Sequence, residues 1–168
     1  MQKIFDAGNM NADGICRGWV CDWISRSKAG QVIASRYDLG SGHHVKGLWD
    51  AAADNDGIDA NFGLIPKTSI RNASPPISAL WLTTELTKGT GFFIFGVRGR
   101  TLNVSTGSYD DSGHAMATRK GMGRLQFFDP NEGLLEFDSS IEFYDYLPNY
   151  IRTTYPDLLS REGEVKKF

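Results

Sequence analysis

Asn11-Ala12-Asp13-Gly14-Ile15-Cys16-Arg17-Gly18-Trp19-Val20-Cys21-Asp22-Trp23-Ile24 joins a turn, a helix start and a thiol at the seam between them. Asp13 is placed to cap a helix by accepting from the orphan amides of its first turn, and Gly14 keeps the backbone accessible there. Ile15, Trp19 and Trp23 recur every four residues, with Cys16, Val20 and Ile24 beside them, which makes one apolar stripe at helical period. The helix is therefore expected to be buried along its length, with only its N-terminal tip, at Cys16, opening to solvent. A thiol in that first turn feels the positive end of the helix macrodipole, which favours thiolate over thiol and makes a better nucleophile. Read alone, the stretch serves equally well for a small core residue, since free cysteines are usually buried and inert.

The 168 residues fit one domain, large enough to bury about 70% of the surface an unfolded chain exposes, so no disulfide staple is needed. Apolar content of 40% and charged content of 23% suit a soluble globular chain, and a formal charge of -2 provides no strong steering toward nucleic acid. The longest apolar run lies within Gly91 to Val97, too short to span a membrane, and the N-terminus has no signal-peptide core. Export by the general secretory route is not expected. The two cysteines, Cys16 and Cys21, would stand roughly 140° apart around a helix and should not bridge each other. A chain without a structural disulfide suits a reducing compartment and leaves a thiol free to act.

Outward from the first helix, residues 1–12 read as a lead-in that docks as a strand or loop through Ile4 and Phe5. A second helix is expected from His43 to about Ala60, ending or bending at Asp54-Asn55-Asp56-Gly57, and a third over Ser78 to Lys88, stopped by Gly89. The second half changes character. Phe92–Val97, Arg100–Thr106, His114–Lys120, Arg124–Phe128 and Gly133–Phe137 are short runs divided by Gly- or Asp-rich turns, the pattern of an antiparallel meander. Ser139 and Glu142 form a capping box for a last helix that Pro148 should kink or split, and the polar tail 161–168 should fray. Together these make a single α+β domain over 1–168, a helical half packed on a later sheet with a helix at the end.

A cysteine nucleophile needs a base, and imidazole suits that near neutral pH. His43 and His44 precede a helix and are expected to cap it or face solvent. His114 instead begins a strand after Tyr109-Asp110-Asp111-Ser112-Gly113, with Met116 and Thr118 on its face and Ala115, Ala117 and Arg119 opposite. The base needs a group that fixes its tautomer. With Lys120 to Gly123 as the hairpin turn, residue 114 would pair with residue 129, and Asp129 is held extended by Pro130. Asp129 could equally be a turn aspartate that caps its own loop, and Asp110 and Asp111 read as solvated turn residues. For an acyl oxyanion, the Cys16 backbone amide and the Asn11 side chain are the candidate donors, with Asn9 competing. No ligand spacing supports a metal, and no phosphate-loop or dinucleotide motif supports a cofactor.

Gly14-Ile15-Cys16-Arg17-Gly18-Trp19 with Trp23-Ile24, then Ser112-Gly113-His114-Ala115, then Phe127-Phe128-Asp129-Pro130-Asn131-Glu132-Gly133, resemble the YopT/AvrPphB-type cysteine proteases, papain-like bacterial effectors. The resemblance spans about Asn11 to Tyr155, although only these three motifs are specific. It implies a papain-like fold, Cys16 as nucleophile, His114 as base, Asp129 completing the triad and Asn11 at the oxyanion-hole position. Two features depart from the family. Trp19 and Cys21 stand where it commonly has leucine and a small residue, and the nucleophile lies closer to the N-terminus than in members with a long leading region. The latter fits a processed or trimmed catalytic core, or a relative delivered by another route.

The resemblance implies a thiol endopeptidase acting on a protein or peptide substrate, secreted by a non-Sec bacterial route and working in the cytoplasm of a target cell, with no cofactor. The same triad can serve a deamidase, an acyltransferase or a peptidoglycan amidase, since all pass through an acyl-enzyme. A third reading, from another class, is an interaction module that keeps the fold with an inert Cys16. No stretch marks the substrate, the delivery route or the oligomeric state.

Overall fold

In the computed structural model the described residues are 1–168 apart from 73, 75, 122 and 161, with the backbone alone for strand residues 98–103 and 108–112. Among them, strands β1 (Gln2–Asp6), β2 (Thr68–Asn72), β3 (Gly91–Asn103), β4 (Ser108–Gly121), β5 (Arg124–Asp129), β6 (Gly133–Phe137) and β7 (Glu162–Lys167) form one sheet in the order β1-β6-β5-β4-β3-β7-β2. Every pairing is antiparallel. Helices α1 (Cys16–Lys28), α2 (Gly42–Asp50) and α3 (Asn55–Asn61) cover one face, and α4 (Ala79–Glu85) and α5 (Ser140–Thr154) the other. The fold is α+β, with the Cys16-bearing helix packed on the sheet as expected.

Burial on both faces explains the apolar runs. Ile94, Ala115, Ala117, Phe128 and Leu134 point toward α1, while Phe93, Phe95, Met116, Phe127 and Leu135 point toward α4 and α5. Each fully buried phenylalanine contributes roughly 1.5–3 kcal/mol through the water it sheds. Strands that alternate between two apolar layers read as continuous hydrophobic stretches rather than as half-polar ones.

Several boundaries differ from expectation. The runs Phe92–Val97 and Arg100–Thr106 are one strand, β3, because its long ladder with β4 carries the backbone straight through Arg98-Gly99-Arg100, and the chain reverses only after Asn103. β4 therefore begins at Ser108, and His114 lies within the strand rather than at its start. Asp110 and Asp111 belong to that strand by backbone, and their side chains lie outside the described residues. The 54–57 polar cluster starts a helix: Asp54 is the N-cap of α3, accepting from Gly57 N at 2.8 Å. Ser139 caps α5 through Glu142 N at 3.2 Å, but Glu142 returns its side chain to Asp138 N and not to the cap residue.

Pro148 does not split α5. Phe143 and Leu147 before it and Tyr150 and Ile151 after it are all buried, and that packing outweighs the ~3 kcal/mol such a proline costs. The tail does not fray either. Residues 162–167 form β7 between β3 and β2, and Phe168 N donates to Phe92 O at 2.9 Å. Its polar look hides the burial of Val165, Lys166 and Phe168. Arg161 lies outside the described residues.

Candidate active site

Helix α1 begins at Cys16, but Asp13 does not cap it. Ile15 occupies the cap position without a side-chain bond, and Trp19 N donates to its carbonyl at 3.2 Å. Residues 7–14 run through successive turns instead, Asn11 O accepting from Gly14 N at 3.0 Å, and this path carries Asp13 out to solvent. Gly14 takes φ +67°, which a side chain disfavours, and at Gly18 a Cβ would stand 2.9 Å from Val45 Cγ1 where α2 crosses. The two glycines of the motif thus serve a turn and a close helix approach.

α1 is buried on all sides from Cys16 to Ile24, not along one stripe. Its polar residues are matched inside. Arg17 makes a bidentate pair with Asp59 of α3, Nε at 2.8 Å and Nη2 at 2.7 Å, and Lys166 of β7 reaches the same carboxylate at 2.9 Å and also pairs with Asp56. Cys21 Sγ donates to Asp59 Oδ1 at 3.3 Å. Burial, reinforced by the Asp59 charge against the opposing pull of Arg17, pushes the Cys21 thiol well above its ordinary range, so this thiol stays protonated. Asp22 is held by Arg26 and Gly40 N.

Cys16, His114 and Asp129 come together from α1, β4 and the end of β5. The expected hairpin register is displaced by two residues: Ala117 pairs with Phe128, and the ladder runs on to Gly121 opposite Arg124. An even displacement keeps the face, so His114 and Asp129 still project to the same side, just beyond the last paired residues of β4 and β5. His114 Nε2 meets Asp129 Oδ1 at 3.1 Å, and Cys16 is near enough to the imidazole to favour its charged form. Burial opposes a charge on His114, but the Asp129 hydrogen bond, then Cys16, prevail and push its pKa up to about 10.

Asp129 is fully buried and accepts four hydrogen bonds. Oδ1 takes His114 and Asn131 N (2.8 Å); Oδ2 takes the hydroxyls of Tyr150 (2.8 Å) and Tyr155 (2.9 Å). Burial raises its pKa, yet His114 and these donors hold it below the usual carboxylate range. Burial and then the Asp129 charge raise both phenols, which keeps them as donors. The Tyr155 ring also lies against the imidazole, centroids 4.5 Å apart at 31°.

Asn11 sits on the same network. Its Nδ2 donates to Asn131 Oδ1 at 2.8 Å, and Asn131 Nδ2 donates to the Tyr155 hydroxyl at 2.8 Å. The Asn11 Oδ1 is buried with no partner. Asn9 is exposed, and His43 and His44 are exposed on α2, so none of these three joins the site. Among the described residues, no group of three or more His, Cys, Asp or Glu converges as metal ligands would. Sequence reasoning missed Tyr150, Tyr155 and Asn131, although Asn131 stands in the Asp-Pro-Asn turn, and it missed Arg17, whose place inside an apolar stripe was the available signal.

Cys16, His114 and Asp129 are thus gathered at the N-terminal tip of a buried helix. No family model and no curated protein matches the chain. Among solved structures, the Pseudomonas avirulence protein AvrPphB is similar with a TM-score of 0.60 at 16% identity, covering 94% of this chain and 93% of that one. The YopT domain of the Pasteurella multocida PfhB2 toxin matches with a TM-score of 0.32 at 19% identity over 86% of this chain and 75% of that one. The first likeness shows that the chain has the AvrPphB fold. No described helix is long and apolar enough to cross a membrane.

Proposed function

We propose that this protein is a cysteine endopeptidase, a secreted bacterial effector or toxin domain that cleaves a protein in the cytoplasm of a target cell. The observation that carries this reading is the convergence of Cys16, His114 and a buried, fourfold hydrogen-bonded Asp129 from three separate elements. The shared fold with an avirulence protein and the motif resemblance support the biological setting.

In this scheme Cys16 Sγ, its proton held by His114, attacks the scissile carbonyl carbon. The carbonyl π bond opens to an oxyanion, stabilised by the Cys16 backbone N–H at the helix start and by the Asn11 amide. His114 then gives its proton to the departing amine, leaving a thioester on Cys16. Water, deprotonated by His114, attacks the thioester and frees the acid and the thiol. Asp129 orients the ring and stabilises imidazolium throughout.

Iodoacetamide labelling of the native protein across pH, with the modified cysteine located by mass spectrometry, tests the pair in wild type and in His114→Ala. Cys16 should be the cysteine that reacts, should slow sharply in the variant, and should leave Cys21 untouched. A Cys16 as slow as Cys21 would exclude the enzyme and favour an interaction module.

A further inference from the structure

The proposed mechanism uses an oxyanion donor and a base that stand far apart in the sequence, and a continuous hydrogen-bond chain joins them. Asn11 Nδ2 donates to Asn131 Oδ1, Asn131 Nδ2 donates to the Tyr155 hydroxyl, and that hydroxyl donates to Asp129 Oδ2, each step at 2.8 to 2.9 Å. The Asn131 backbone N–H closes a second path to Asp129 Oδ1 at 2.8 Å. Asn131 and Tyr155 themselves need touch no substrate.

Direction along this chain is fixed by chemistry. An ionised Asp129 only accepts, so the Tyr155 proton must point to it, and the phenol oxygen is then free to accept from Asn131 Nδ2. That sets the Asn131 amide with its oxygen toward Asn11, which can meet it only with its own N–H. One proton of Asn11 Nδ2 is thereby committed to Asn131 and the other is left unengaged, while Oδ1 is buried without a partner. The charge on Asp129 thus determines which end of the Asn11 side chain presents a donor.

Resting on the cysteine-protease reading, we propose that Asn131 and Tyr155 are positioning residues that set the Asn11 amide as an oxyanion donor and lock it in register with the Asp129–His114 pair. Oxyanion stabilisation and base orientation are then one preorganised unit, and breaking any link loosens the donor without removing it.

Two probes separate this role from general support. Iodoacetamide displaces iodide from carbon and forms no oxyanion, whereas p-nitrophenyl acetate acylates a thiol through one and needs no peptide subsite. In Asn131→Ala, acylation of Cys16 should slow about tenfold, the low end for a lost hydrogen bond to a group bearing charge, while alkylation changes less than about twofold. Tyr155→Phe keeps the ring against His114; it should slow acylation by a similar factor and raise the His114 pKa, read by imidazole NMR, because the Asp129 carboxylate loses a donor that disperses its charge.

The double variant should be little slower than either single one, because both cut one chain; independent roles would multiply to about a hundredfold. Equal slowing of both probes in Asn131→Ala, or multiplying factors, overturns the proposal. If Asn131→Ala does not fold, Tyr155→Phe decides, and an unmoved His114 pKa or unchanged acylation overturns it. Wild-type Cys16 labelling that is indifferent to His114 overturns the protease reading and this inference together. His114-dependent labelling with unaltered variants overturns this inference alone.

Discussion

Replacing Asp129 by asparagine removes the charge that holds His114 protonated while leaving the shape. The amide oxygen can face His114 and Asn131 N as Oδ1 does, and its NH2 can donate to the oxygens of Tyr150 and Tyr155 once their hydroxyls rotate. The fold should therefore survive. A His114 pKa raised from 6.5 to about 10 corresponds, at about 1.4 kcal/mol per pH unit, to a ceiling of about 5 kcal/mol. Two partners share it, and about half, roughly 2 kcal/mol, is assigned to Asp129.

The sign follows from linkage. A group with a raised folded pKa contributes fully below its unfolded pKa, so this stability is present below about 6.5 and is lost as pH rises toward about 10. Asp129, with its pKa depressed, contributes above the ordinary carboxylate range and loses that as the solution is acidified below it. Urea denaturation at intervals from pH 5 to 10, for both proteins, isolates the difference, since every other titrating group cancels. Wild type should lose about 2 kcal/mol more than Asp129→Asn between pH 6.5 and 10. Parallel curves, or an unchanged imidazole titration by NMR, would refute the assignment of His114's charge to Asp129.

Arg17→Ala strips Asp59 of its bidentate partner inside the protein, leaving only Lys166 and Cys21, and should cost about 3–5 kcal/mol in chemical denaturation; a loss under 1 kcal/mol would mean water enters the cluster. Gly18→Leu drives a side chain into Val45 and Trp49 of α2 and should lower stability by about 1–3 kcal/mol, measured the same way. Phe168→Ala empties a fully buried site beside β3 and should cost about 3–5 kcal/mol, with β2 and β7 amides losing protection in hydrogen exchange; a silent substitution would restore the frayed tail.

The candidate site was legible in the sequence further than the elements around it. Asp129 and His114 were paired in a register displaced by two residues, yet they still met, because strand side chains repeat every second residue and an even slip preserves the face. A slip of one would have sent His114 into the α1 core. Asp13 failed as a cap because neighbouring turns, with their own backbone bonds, decide where a loop aspartate points. β7 was hidden for a different reason. Glu162-Gly163-Glu164-Val165-Lys166-Lys167 looks solvated unless Asp56 and Asp59, a hundred residues earlier, are known to wait for Lys166. Tyr150 and Tyr155 likewise look like ordinary core aromatics until the carboxylate they clasp is seen.

The place of β7 between β3 and β2 has a consequence for how the polypeptide is made. Among the described residues β2 has no sheet neighbour but β7, and Arg71 must wait for Glu164, 93 residues further along, while Asn11 waits 120 residues for Asn131. Pairings this distant postpone the recovery of chain entropy until both partners have been translated. A nascent chain that reaches only as far as α3 can hold α1 and its thiol, yet it lacks both the imidazole and the strand that completes the sheet. Cys16, His114 and Asp129 can thus meet only after elements far apart in the chain have all been made.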